Sequence, residues 1–85
     1  MDVILIPADA RLGHAVSALR DAAGVYGWGL EAEEPDGGVA RVRVVPGTCT
    51  RRPEARRVLE RARCGDQAVV EGVEIVREGD AATRG

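Results

Sequence analysis

GWGLEAEEPDGGVARVRVV, residues 27–45, is the stretch on which the fold turns. Trp28, Leu30 and Ala32 fall on one side of an extended chain; Gly29, Glu31 and Glu33 fall on the other. Side chains of a strand alternate with a period of two, so this pattern describes a strand with one wet face. Pro35-Asp36-Gly37-Gly38 is a strong turn signal. Beyond it the alternation resumes, with Ala40, Val42 and Val44 set against Arg41 and Arg43. Residues 27–45 therefore read as a β-hairpin whose wet face carries Glu31 and Glu33 opposite Arg41 and Arg43. Each such cross-strand pair stabilises the hairpin by roughly a few tenths of a kcal/mol.

The segments on either side are helical. Upstream, Leu12, Ala15, Val16, Leu19, Ala22 and Ala23 recur at helical spacing, with Asp9 as the expected N-cap and Gly24 as the expected C′ residue. This predicts a helix over residues 10–23. Downstream, Pro46-Gly47 ends the hairpin, Pro53 fits a first helical turn, and Ala55, Val58, Leu59 and Ala62 form an apolar stripe closed by Gly65. A second helix is predicted over 52–63. At the start of the chain, Val3 to Ile6 is an unbroken apolar run ended by Pro7, the mark of a central strand. At the end, Ala68 to Arg77 alternates but changes phase at Gly72, which predicts a strand with a β-bulge there.

The order is β-α-β-β-α-β, that of the ferredoxin-like split βαβ arrangement. Right-handed crossovers then predict an α+β sandwich: a four-stranded antiparallel sheet, order 4-1-3-2, with two helices on one face. Residues 1–78 are expected to form one domain and residues 79–85, small and polar, a flexible tail. The second sheet face is left open, or covered by a partner.

A chain of 85 residues buries only roughly 60% of the surface that its unfolded form exposes, so self-association would help it. The net charge of −2 argues against a generic nucleic-acid or polybasic membrane binder. RNA-binding sheets of this topology stack bases on aromatic residues of their central strands. Here those strands carry none, since Tyr26 and Trp28 are the only aromatic residues and Trp28 is expected to pack against the helices. The Val3–Ile6 run is too short for a signal peptide or a membrane span, so the expected location is the cytoplasm. Cys49 and Cys64 flank the second helix, too far apart for a disulfide. All 12 basic residues are arginine, which a GC-rich genome explains most simply.

Three groups of residues are candidates for chemistry. Arg51, Arg52, Arg56, Arg57, Arg61 and Arg63 crowd the second helix. They read either as a solvated face partly neutralised by Glu54 and Glu60, or as an anion or acidic-partner site using Arg51, Arg52 and Arg56. In the second case Arg51 and Arg52, placed at the helix start, would combine guanidinium groups with free backbone N–H groups. Cys49 lies beside these cations, which lower a thiol pKa; it reads as an inert loop cysteine or as a reactive thiol. His14, the single histidine, reads as a surface residue or as a general base without an identifiable partner. No set of residues has metal-ligand spacing, so neither a metal nor a cofactor is expected. Gly24, Gly27 and Gly29 follow a helix and precede a strand, the reverse of a phosphate-binding loop.

The apolar first strand, the helix LGHAVSALRDAAGV, the hairpin DGGVARVRVV and the helix PEARRVLERA together resemble an ACT domain, a small regulatory module that binds amino acids. The resemblance spans about residues 3–77. Pro7-Ala8-Asp9-Ala10-Arg11 stands where the family has an Asp-x-Pro-Gly type turn, and Gly13 is the nearest glycine to it. The resemblance implies side-by-side pairing, with a small polar ligand, an amino acid or other anion, at the interface. Asp9, Arg11, Leu12, Gly13 and His14 would then line the site. The expected function is a homodimeric binding or regulatory module. The alternatives are a small dimeric enzyme with a pocket on the open sheet face, using His14 or Cys49, and an interaction subunit that presents the Arg-rich helix to an acidic protein. Dimers would form by edge-strand pairing or by packing of the open sheet faces.

Overall fold

The hairpin alternation is realised residue by residue in the computed structural model, which describes residues 2–48, 51–65 and 68–77. Strand β2 (Trp28–Ala32) pairs antiparallel with β3 (Val39–Pro46), from Trp28↔Pro46 to Ala32↔Val42. The register sets Glu31 opposite Arg43. Glu33 reaches both arginines of the wet face, Arg41 at 3.6 Å and Arg43 at 3.4 Å. The turn itself is two residues long. Asp36 N–H donates to the Val39 carbonyl at 2.9 Å, Val39 N–H donates back at 3.2 Å, and Gly37 and Gly38 both have positive φ (65° and 79°). Two positive φ angles in sequence define the turn whose twist matches that of the flanking strands, and glycine takes them without steric cost.

Strand β1 (Asp2–Pro7) lies between β3 and β4 (Glu74–Arg77) and is antiparallel to both. The sheet order is β2-β3-β1-β4. Val3 and Ile4, on opposite faces of β1, are both fully buried, which accounts for a run with no polar alternation. Ile4, Ile6, Val42, Val44 and Trp28 share one cluster with the buried residues of both helices. In α1 (Leu12–Val25) these are Ala15, Leu19, Ala22 and Ala23; in α2 (Ala55–Gly65) they are Ala55, Val58, Leu59 and Ala62. Both sets follow the three-and-four spacing of a single helical stripe. Their many alanines let the helices lie close to the larger sheet residues. The opposite register positions, Val3, Leu5, Glu31, Arg41, Arg43, Val45, Glu74 and Val76, form the other sheet face.

Several boundaries depart from the sequence expectation. Asp9 does not cap α1. Its Oδ1 accepts from Arg11 N–H at 2.8 Å in a local turn, and the helix begins after Arg11 without a side-chain cap. Aspartate competes for nearby backbone donors in this way, and the turn delays the helix. Gly24 lies within α1, whose end is set by Tyr26 N–H and Gly27 N–H donating to the carbonyls of Ala23 and Gly24. The left-handed residue is Gly27, with φ 79°. Helix α2 starts at Ala55 rather than 52, because the Glu54 carbonyl takes the first bonds, from Arg57 and Val58. Strand β4 covers only Glu74–Arg77; Ala68 to Gly72 form turns and Gly72 has φ 81°, so it is a turn residue and not a bulge. Cys49 and the 79–85 tail lie outside the described residues.

Candidate functional site

A concavity opens beside the start of α2. It is a groove of about 710 Å³ lined by Val44 and Pro46 of β3, Asp2 of β1, and the run Arg51–Ala55 with Arg57. The backbone that carries Arg51 is pinned from the sheet: Trp28 Nε1–H donates to the Arg51 carbonyl at 3.2 Å. Trp28 is itself 5% exposed and stacked on Tyr26, with ring centroids 4.9 Å apart. The arginine loop therefore hangs from a buried, rigid indole. Arg52 is exposed and makes no ion pair among the described residues. Arg57 is held by Glu54 through a 2.7 Å charge-assisted hydrogen bond. With Asp2 and Glu54 as the only carboxylates among the lining residues, the groove wall keeps an excess of guanidinium.

Of the arginines singled out by sequence, Arg51 and Arg52 line this groove, from the loop that precedes α2 and not from the helix start. Arg56 is exposed on α2 and is not among the lining residues; Arg57 takes that place. The reason is helical phase. The buried stripe Ala55, Val58, Leu59 and Ala62 fixes the phase of α2, and each residue advances about 100° around the axis, so Arg56 and Arg57 point to different sides. Asp2, Val44 and Pro46 were not singled out by sequence, and no local signal marks them, since they reach the groove only through strand pairing.

The residues at the start of α1 are arranged differently. Asp9 and Arg11 pair at 3.9 Å, and Arg11 Nη1 donates to the Ala68 carbonyl at 2.9 Å, which ties α1 to the turn segment before β4. They line a crevice with Ile6, Pro7, Ala15, Val69 and Glu71 of about 10 Å³, room for about one water molecule. Leu12 is half-buried against the core. Gly13 and His14 are exposed, and a Cβ at Gly13 would meet nothing within 4 Å. His14 has no hydrogen-bond or ion-pair partner among the described residues. The structure thus brings Asp9 and Arg11 together and leaves Leu12, Gly13 and His14 outside the crevice.

Cys64, in the last turn of α2, is exposed and free. Among the described residues no group of three or more His, Cys, Asp or Glu side chains is placed to hold a metal ion. No helix among them is long and apolar enough to cross a membrane. No protein-family model matches this chain, and no curated protein or solved structure matches it.

Proposed function

We propose that this chain is a small anion-binding module, in which Arg51, Arg52 and Arg57 hold a carboxylate or phosphate group in the groove beside α2. The observation that carries the reading is the groove itself, where guanidinium groups outnumber carboxylates on a wall fixed by Trp28. Guanidinium presents a planar fork of donors that matches carboxylate and phosphate oxygens. Two charge-assisted hydrogen bonds at about 1.5–3 kcal/mol each correspond to dissociation constants from about 6 millimolar to about 40 micromolar. That range suits a sensor of an abundant metabolite. The proposal includes the ferredoxin-like arrangement, both helices on one sheet face, which the shared core cluster supports. It also keeps the ACT-like regulatory role and homo-oligomeric state, but moves the ligand from the first turn of α1 to the start of α2. The crevice at Asp9 and Arg11 is too small in a single chain for an amino acid.

The test is a backbone-amide NMR titration with inorganic phosphate and a panel of amino acids. Shifts should centre on residues 51–57, and Arg52→Gln should weaken binding about tenfold, while His14→Ala leaves it unchanged. Saturable shifts centred on residues 9–14 would return the site to α1 and overturn the proposal.

A further inference from the structure

The groove beside α2 is far larger than a small inorganic anion. A water molecule takes about 30 Å³ of the liquid, so a volume of about 710 Å³ is that of roughly two dozen waters, and phosphate or acetate fills a small part of it. Volumes of about 300–1,000 Å³ belong to sites for organic molecules, where apolar walls carry most of the contact and a few polar groups fix the orientation. The walls here fit that description. Val44 and Ala55, 5% and 1% exposed, close the back of the groove, while Pro46 is exposed and Pro53 half-buried. The two prolines come from different segments, the end of β3 and the loop before α2. Trp28 joins them, since it pairs with Pro46 in the sheet and donates to the Arg51 carbonyl. A proline ring has no rotamers to lose on burial, so both walls are in place before a ligand arrives. The polar side of the groove is more restricted. Arg57 is held by Glu54 at 2.7 Å, and Arg51 and Asp2 each already have a partner. Arg52 is exposed and has none among the described residues. One guanidinium fork is therefore available without breaking an existing contact, and one fork matches one carboxylate.

We propose that the ligand of this groove is a monocarboxylate with a short apolar body, alkyl or aryl, its carboxylate on Arg52 and its carbons between Pro46 and Pro53. The inference rests on the reading of the groove as an anion site and names the ligand class of that site. Arg52 and Pro53 are consecutive, with Cα atoms about 3.8 Å apart, so a carboxylate on the one sets its attached carbons beside the ring of the other. The ammonium group of an amino acid adds nothing here, because the two carboxylates that line the groove, Asp2 and Glu54, are both taken. A phosphate dianion brings more charge than one free fork matches and no carbon for the proline walls.

The experiment is a backbone-amide NMR titration at constant ionic strength with the straight-chain series from acetate to hexanoate, alongside inorganic phosphate, leucine, 4-methylpentanoate and 1-hexanol. A fully buried methylene strengthens binding about fourfold, and one lying against an open wall about twofold. Hexanoate has four methylenes more than acetate. It should bind about ten- to twentyfold tighter than acetate, and tighter than phosphate, with shifts centred on residues 51–57. 4-Methylpentanoate, which is leucine without its ammonium group, should bind at least as tightly as leucine. Arg52→Gln should weaken hexanoate and acetate alike, about tenfold. Pro46→Ser/Pro53→Ser should flatten the chain-length series to less than about threefold while acetate binding stays unchanged. If the double variant loses acetate binding as well, Pro46→Ser alone, at an exposed position, should still halve the ratio of hexanoate to acetate affinity. Equal affinity for hexanoate and acetate overturns the inference and leaves the anion site standing. Leucine binding about tenfold or more tighter than 4-methylpentanoate also overturns it, because the ammonium group would then be recognised. Hexanol binding as tightly as hexanoate, or no saturable shift at residues 51–57 with any anion, overturns the anion site itself.

Discussion

Gly47→Ala is the substitution that most directly tests how the groove is held to the sheet. Gly47 follows β3 and lies against the start of β2. A Cβ built there would sit 2.7 Å from the Gly27 carbonyl oxygen, 3.2 Å from the Trp28 carbonyl carbon and 3.3 Å from the Gly29 nitrogen. All three are backbone atoms, so no side chain can swing away. Gly27 is fixed by its left-handed conformation and by its hydrogen bond to the end of α1. Relief requires the Trp28↔Pro46 end of the hairpin to part by about half an ångström, and overpacking of this kind costs about 1–3 kcal/mol. A domain of this size loses about 4–8 °C in Tm per kcal/mol, so the expected fall is roughly 5–20 °C. Circular dichroism gives the Tm. Fluorescence of Trp28, the single tryptophan, reports whether the indole stays buried. A Tm within about 2 °C of the parent would refute the close approach on which the argument depends.

Three further outcomes follow from the same geometry. Gly13→Ala should raise stability by about 0.5–1 kcal/mol in urea unfolding, because the position is helical and its Cβ meets nothing; unchanged or reduced stability would place another atom there. Trp28→Phe keeps a stacking ring beside Tyr26 but removes the donor to the Arg51 carbonyl. Beyond a stability loss of about 1–3 kcal/mol, it should weaken phosphate binding while faster amide exchange appears at residues 51–54. Leu19→Ala, at a fully buried position of α1, should cost about 2–5 kcal/mol by urea denaturation, without altering phosphate affinity under conditions where the variant is folded.

The hairpin was legible because its signals are local. Period-two alternation and a Gly-Gly pair after Asp36 specify register and turn together, and the predicted pairing of Glu31 and Glu33 with Arg41 and Arg43 is realised in the ladder and in the ion pairs of Glu33. The last strand was less legible. Val70 and Val73 are buried, 0% and 7% exposed, and so mimic strand alternation, but both lie before Glu74, where β4 begins. Apolar periodicity reports burial, and hydrogen bonding has to be inferred from it. Helix starts suffered from competition. Asp9 has the composition of a cap, but its carboxylate is taken by Arg11 N–H. The candidate site shows the same division. Clustering of arginine around α2 is plain in the sequence, while the convergence of Arg51, Arg52 and Arg57 with Asp2, Val44 and Pro46 depends on strand order and on the path of the loop before α2, neither of which a local window contains. The start of α1 was singled out through the family resemblance, and its residues make a tether to Ala68 and a crevice of about one water's volume.

The outermost strands of the sheet are its shortest, β2 with five residues and β4 with four. Each therefore exposes only two or three outward-pointing amide and carbonyl groups to solvent, too short a template for a passing chain to zip onto. The consequence is colloidal. Growth of the sheet from molecule to molecule, the route to cross-β fibrils, starts poorly from such stubs. Short edges of this kind make the sheet a poor seed for fibrils.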